Sequence, residues 1–411
     1  MAGQKYSLIV FGATSFVGQI LCRYLVDEFG VDGDLKWAAA ARSDAKLRFL
    51  REQLGPKAAA MPLILADATD EASLAALCAQ TRVVISTVGP YALHGEPLVK
   101  ACADTGTDYC DLTGEVQWIR KMITRHEDAA QRSGARIVHC CGFDSIPSDL
   151  GVFFLQQRAR ERFGAPCTRI KMRVKALAGA ASGGTVASLM NVVKEAAGDA
   201  AVRRELADPY SICPPDHGFV ARQTDVSTAQ YDPDFGTWIA PFVMAGINTR
   251  VVHRTNALSG NSYTSDFRYD EAIMTKPRLK GMLAAQATTI GLAGFMLAAA
   301  LPPSRWLLNR FVLPKPGEGP SPAAQQRGFY DLRFFGTTAG GQTIRVKVTG
   351  DRDPGYGSTA KMLGQAGACL ALDIAKSDCP GGFWTPATIF GERLIQRLKA
   401  DAGLTFEVLA G

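Results

Sequence analysis

The chain has 411 residues, 47% of them hydrophobic and 20% charged. That composition excludes a largely disordered chain, and the length predicts roughly two to four domains. The net charge of +6, from 45 Lys and Arg against 39 Asp and Glu, is spread along the chain and forms no nucleic-acid-binding stripe.

Glycine is abundant, 41 residues without a Gly-X-Y period, so it belongs to tight loops and not to a collagen-like repeat. The ten Cys form no C-x-x-C pair. That spacing predicts neither a metal site nor a disulfide framework, and reduced thiols point to the cytoplasm. The N-terminus reads as lacking a signal peptide, because the apolar run Ser7–Phe11 is only five residues and ends in a glycine loop.

The run Leu8–Phe11 predicts a buried parallel strand. Gly12-Ala13-Thr14-Ser15-Phe16-Val17-Gly18 follows it, and then an amphipathic helix with Val17, Ile20, Leu21, Tyr24 and Leu25 on one face. Strand, glycine loop and helix in that order are the setting of a dinucleotide fingerprint. Gly12 allows a tight turn, Gly18 close helix packing, and the helix N-terminus offers N–H groups to a pyrophosphate.

A second strand over 36–41 ends at Arg42, with Lys46 four residues on. An NAD site usually carries Asp or Glu here. Two cations instead suit a 2′-phosphate, so NADP(H) is favoured and NAD(H) left open. The alternative is that both are solvated residues at a helix start, with Asp44 as a cap or ribose contact. A third strand, 63–66, ends at Asp67 and Ala68, which face the adenine or cap the next helix. A fourth, 83–87, opens into Val88-Gly89-Pro90-Tyr91 at the carboxyl edge of the sheet. Helix 96–103, strand 109–112, helix 118–133 and strand 136–140 complete a doubly wound α/β domain.

Beyond Gly142–Gly151 the pattern changes. Strands are predicted over 170–177, 249–256, 263–269, 329–335 and 343–349, with a helix over 183–197. This mixture predicts an α+β second domain. Residues 281–304 are uncharged over 24 positions, with Lys276, Arg278 and Lys280 before them and Arg305 after. Three readings stand: a helix lying on a membrane or an apolar ligand, a buried core or dimer helix, or a true span. The stretch 313–322 holds four prolines and two glycines and reads as a surface connection or a lid. Helices are predicted over 358–375 and 391–400.

Taken together, the loop 12–18, Ala40-Ala41-Arg42-Ser43, Thr87–Tyr91, Tyr109-Cys110-Asp111-Leu112-Thr113-Gly114-Glu115, Gly142–Gly151, 313–321 and Gly382–Ala387 resemble the saccharopine dehydrogenase-like oxidoreductases, in the branch of trans-acting enoyl reductases. Ser15 departs from the commoner glycine of that loop. The resemblance spans nearly the whole chain. It implies a Rossmann domain, 1–145, completed by about 355–411, with the α+β domain 146–354 inserted. It further implies NAD(P)H-dependent reduction of a hydrophobic or acyl substrate, presented on a carrier protein in one version.

Cofactor contacts are expected at Gly12–Gly18, Arg42, Lys46, Asp67, Ala68 and Val88-Gly89-Pro90-Tyr91. Catalytic candidates near the sheet edge are Tyr91, His94, Tyr109, Asp144 and Ser145. Each has a bland rival as packing, surface or cap. Competing functions are an amino-acid or imine dehydrogenase and a nucleotide-binding, membrane-associated scaffold without turnover. A homodimer and peripheral contact with the inner or plasma membrane through 281–304 stay open.

Overall fold

The computed structural model describes residues 4–179, 183–313 and 318–410. They fall into two compact units: 4–146, 318–319 and Gly355–Gly403 in the first, and 147–313, Pro320–Pro354 and 404–410 in the second. Much of the proline-rich stretch, 314–317, lies outside the described residues.

Six strands open the first unit: β1 (Tyr6–Phe11), β2 (Trp37–Ala41), β3 (Leu63–Leu65), β4 (Thr81–Ser86), β5 (Asp108–Cys110) and β6 (Arg136–Val138). The second unit follows with β7 (Cys167–Ala178), β8 (Gln230–Asp232), β9 (Thr237–Pro241), β10 (Arg268–Met274), β11 (Phe329–Thr338) and β12 (Thr343–Gly350). The chain then adds β13 (Gly382–Trp384), parallel to β6, and β14 (Leu404–Val408), antiparallel to β12. The first sheet runs β13-β6-β5-β4-β1-β2-β3 and the second β14-β12-β11-β7-β10-β9-β8. The closing strand therefore lies in the second sheet, apart from the 355–403 stretch that precedes it.

Leu8, Ile9 and Val10 are wholly buried, because a parallel strand is covered on both faces. The order reverses between β1 and β4, and a doubly wound sheet opens its ligand crevice at the carboxyl ends of such a pair. The almost fully buried helix Thr359–Leu372 completes this unit. Its Gln365 Nε2 donates to the Tyr24 hydroxyl at 2.6 Å. A buried charge cluster ties the same C-terminal stretch to β5 and β6. The Arg136 guanidinium grips Asp108 at 2.5 Å and donates to the Ala375 carbonyl at 3.0 Å, and Lys376 Nζ reaches Asp108 at 2.5 Å.

Two expectations in the second unit are corrected. Residues 249–256 are not a strand but lie inside the helix Ala245–Leu258, and 263–267 are loop. The helix is buried nearly all round, so no apolar stripe marks it. Its polar residues are satisfied by distant partners: Arg250 by the Leu206 carbonyl, Arg254 by that of Ile212, and Thr255 by Asp149. The strand that follows, β10, runs parallel to β7 and antiparallel to β9. The uncharged stretch 281–304 falls in the helices Arg278–Ala300 and Pro302–Leu307.

Candidate active site

The carboxyl edge of the first sheet gathers most of the expected residues. Gly12 sits at φ +83, where a side chain is disfavoured, and a Cβ there would lie 2.6 Å from Val88. A Cβ on Gly18 would lie 2.3 Å from the Gly12 carbonyl, so both glycines are set by close approach. Ser15 caps the helix Phe16–Phe29, its Oγ accepting the Gly18 N–H at 2.9 Å. The same oxygen lies 2.9 Å from Thr87 Oγ1. The N–H groups of Thr14, Phe16 and Val17 meet no protein acceptor among the described residues. Unpaired donors at the positive end of a helix are what a pyrophosphate requires, so the loop fits a dinucleotide. Phe16 is held edge-on against Tyr356, ring centroids 5.1 Å apart, and Gly319 abuts its ring.

At the end of β2, Ser43 and not Asp44 caps the next helix; Asp44 pairs instead with Arg48 at 2.6 Å. Arg42 and Lys46 are exposed, and their side chains donate to no protein acceptor among the described residues, the Lys46 backbone N–H going to the Ser43 cap. Beyond β3, Asp67 Oδ1 accepts from the N–H and hydroxyl of Thr69 at 2.9 and 2.8 Å. The Thr69 N–H, then its hydroxyl, and more weakly Arg42, hold this carboxyl below the usual range. Asp67 thus orders its own turn, and Ala68 beside it is half-buried.

Past β4, Val88, Gly89 and Pro90 line the open edge, with the Gly89–Pro90 peptide cis. Tyr91 turns inward. Its hydroxyl donates to the Ser86 carbonyl at 3.0 Å and accepts the Leu112 N–H at 3.2 Å. Burial, with Asp111 adding, pushes the phenol far up. Tyr91 is thereby a brace of the edge and its hydroxyl is committed. Tyr109 is likewise fully buried and its phenol pushed up. His94 is exposed on the short helix Tyr91–His94. Glu115 caps that helix, accepting the N–H groups of Tyr91 and Ala92 at 2.9 and 3.0 Å.

Between β6 and the helix Ile146–Phe163 the backbone is strained, with Cys140 at φ 62 and Ser145 at φ 92. Ser145 is wholly buried. Asp144 stands at the crest of this turn, half-buried, and its carboxylate has no hydrogen-bond partner among the described residues. Desolvation alone raises it to about 7. That is the range of a group that gives and takes protons at neutral pH.

One pair escaped sequence reasoning. Asp111 and His139 each follow the last residue of neighbouring strands, and the register Cys110 to Val138 sets them side by side. Asp111 Oδ2 lies 2.7 Å from His139 Nδ1, while Oδ1 accepts the N–H groups of Thr113 and Cys140. The imidazole is boxed by Tyr109, Trp118 and Phe383, and its Nε2 is buried without a partner among the described residues. Residues directly past the ends of adjacent strands were the available signal.

Residues 8–138 match the family model described as the saccharopine dehydrogenase NADP binding domain. A putative trans-acting enoyl reductase of Mycobacterium tuberculosis is 40% identical over 98% of this chain and 97% of its own. A trans-acting enoyl reductase of Mycobacterium bovis is 38% identical over 97% and 96%. Among solved structures, the apo saccharopine dehydrogenase (L-Glu forming) of Saccharomyces cerevisiae aligns over 98% of this chain and 99% of that one. Its TM-score is 0.53 at 15% identity, a likeness of fold.

Proposed function

The chain belongs to the family of trans-acting enoyl reductases, with an NADP-binding domain of saccharopine dehydrogenase type, and from that premise we propose that it reduces the conjugated carbon–carbon double bond of an acyl thioester carried by a partner protein. It is an NAD(P)-dependent oxidoreductase. In the proposed site the backbone N–H groups of Thr14, Phe16 and Val17 hold the pyrophosphate, and Arg42 with Lys46 takes the 2′-phosphate. When bound there, NADPH would supply a hydride for the β-carbon. Asp144 then delivers a proton to the α-carbon of the resulting enolate, as a carboxyl near 7 is able to do. Tyr91 and Glu115 keep the Val88–Pro90 edge in shape.

The observation that carries this reading is the unpartnered Asp144 carboxyl, on the same sheet edge as the nucleotide loop. Three strand spacings of about 4.8 Å separate β1 from β6, a span that an extended dinucleotide bridges. The amino-acid dehydrogenase alternative is disfavoured by charge. Residues 86–95, 110–117 and 139–146 contain no Arg or Lys but include Asp111, Glu115 and Asp144. Such an edge offers no cation to hold a dicarboxylate and tolerates a neutral thioester. The ten free thiols support a cytoplasmic setting. NADPH consumption against a panel of enoyl thioesters and imino acids tests the proposal: turnover confined to the thioesters is expected. Turnover confined to imino acids would replace it, and binding without turnover would favour a scaffold.

A further inference from the structure

The helix Arg278–Ala300 is built inside out. Its buried positions are the small residues Gly281, Ala285 and Ala299. Most of its large apolar side chains point outward, and the segment after it extends the patch. Leu279, Leu283, Ile290, Leu297, Trp306 and Phe311 are between 58% and 70% exposed. A helix folded onto a core does the reverse, burying its large residues and exposing polar ones. An exposed apolar face of this extent marks a surface that meets something.

Charge says what it meets. Between residues 272 and 317 there is no Asp or Glu, while Lys276, Arg278 and Lys280 stand at one end and Arg305 and Arg310 at the other. The helix is also seated on its own unit. The Thr275 hydroxyl donates to the Gly281 carbonyl at 2.9 Å, and Phe295 packs with Met190, Val193 and Ala299. The 23 residues are long enough to cross a bilayer, yet one side is covered by folded protein, so the helix is suited to lying flat.

We propose that this face rests on an anionic lipid surface. The apolar side chains enter the boundary between headgroups and acyl chains, and the cations at both ends meet anionic headgroups. Trp306 and Phe311, each next to an arginine, are residue types that interfacial segments carry on their apolar face. Docking does not rest on the enoyl reductase reading, and its test needs no turnover.

Full-length protein is floated with zwitterionic vesicles and with vesicles carrying phosphatidylglycerol, at low and high salt. Co-flotation with the anionic vesicles alone, weakened by salt, is expected. The variant R278E/K280E should lose roughly tenfold or more in vesicle affinity. The variant I290S/L297S/F311S should lose it too, while both keep the wild-type melting temperature because the altered side chains are exposed. Absence of flotation with anionic vesicles overturns the proposal. Self-association that the serine variant abolishes, without vesicle binding, assigns the face to a second copy. Salt-sensitive capture of an acidic acyl carrier protein, again without vesicle binding, assigns it to that partner.

Discussion

Ser15 Oγ and Thr87 Oγ1 lie 2.9 Å apart, and the proton count gives the bond a direction. Thr87 spends its hydroxyl proton on the Gly12 carbonyl at 2.9 Å, so Ser15 is the donor to Thr87 and the acceptor from Gly18. A serine where such loops commonly carry glycine thus ties β1, β4 and the helix start into one unit.

Ser15→Ala removes both the cap and the tie. A loss of about 1 kcal/mol in unfolding free energy is expected, with weaker NADPH binding. Ser15→Gly should cost only a few tenths of a kcal/mol through the cap, because glycine caps tolerably. Urea unfolding and fluorescence titration with NADPH read the two effects, and an unchanged affinity in Ser15→Ala would remove the tie from the account of binding.

Arg42→Ala tests the 2′-phosphate. A hydrogen bond to a charged group contributes about 1.5–3 kcal/mol, so the ratio of kcat/KM for NADPH over NADH should fall roughly tenfold to a hundredfold. The loss should fall on NADPH, leaving NADH nearly unaffected. An unchanged ratio means that Arg42 is only a solvated residue at a helix start.

How much of this was legible depended on whether the signal was local. The apolar run 8–11, the glycine loop and the cations after β2 are contiguous, and they locate the nucleotide end of the site. Asp111 and His139 are separated by 27 intervening residues and meet only through strand register. The polar helix Ala245–Leu258 shows no apolar stripe because its partners come from elsewhere in the chain. Tyr91 and Tyr109 had the chemistry of proton donors, but sequence does not reveal that one hydroxyl is committed to two backbone groups and the other is wholly buried.

Asp144 sets the pH dependence. Its carboxyl is protonated below about 7, so as a general acid it makes kcat fall as pH rises through about 7. Asp144→Asn should be slow and lack that limb. Stability carries the opposite mark. In the unfolded chain the carboxyl ionises near 4, whereas the folded one stays protonated to about 7. Wild-type stability therefore declines across that window, and Asp144→Asn should be the more stable protein above pH 7. Melting curves at acid and alkaline pH check this; a variant gaining nothing at alkaline pH contradicts it.

Arg136 and Asp108 are both fully buried, with Lys376 as the second cation. Arg136→Met leaves a buried carboxylate half-paired, and a loss of about 3–5 kcal/mol is expected. R136M/D108N should recover part of it. Chemical denaturation of the two variants distinguishes this from a mere packing defect, in which the double variant would be no better than the single.

The most direct test of the central claim is the isotopic outcome of one turnover. With an enoyl thioester, NADPH deuterated at the transferred position and ordinary water, the saturated product should carry deuterium at the β-carbon and solvent hydrogen at the α-carbon. Asp144→Asn should form it far more slowly. Cofactor that binds but is never consumed by any enoyl thioester, or an Asp144→Asn variant that turns over at the wild-type rate, would contradict the account.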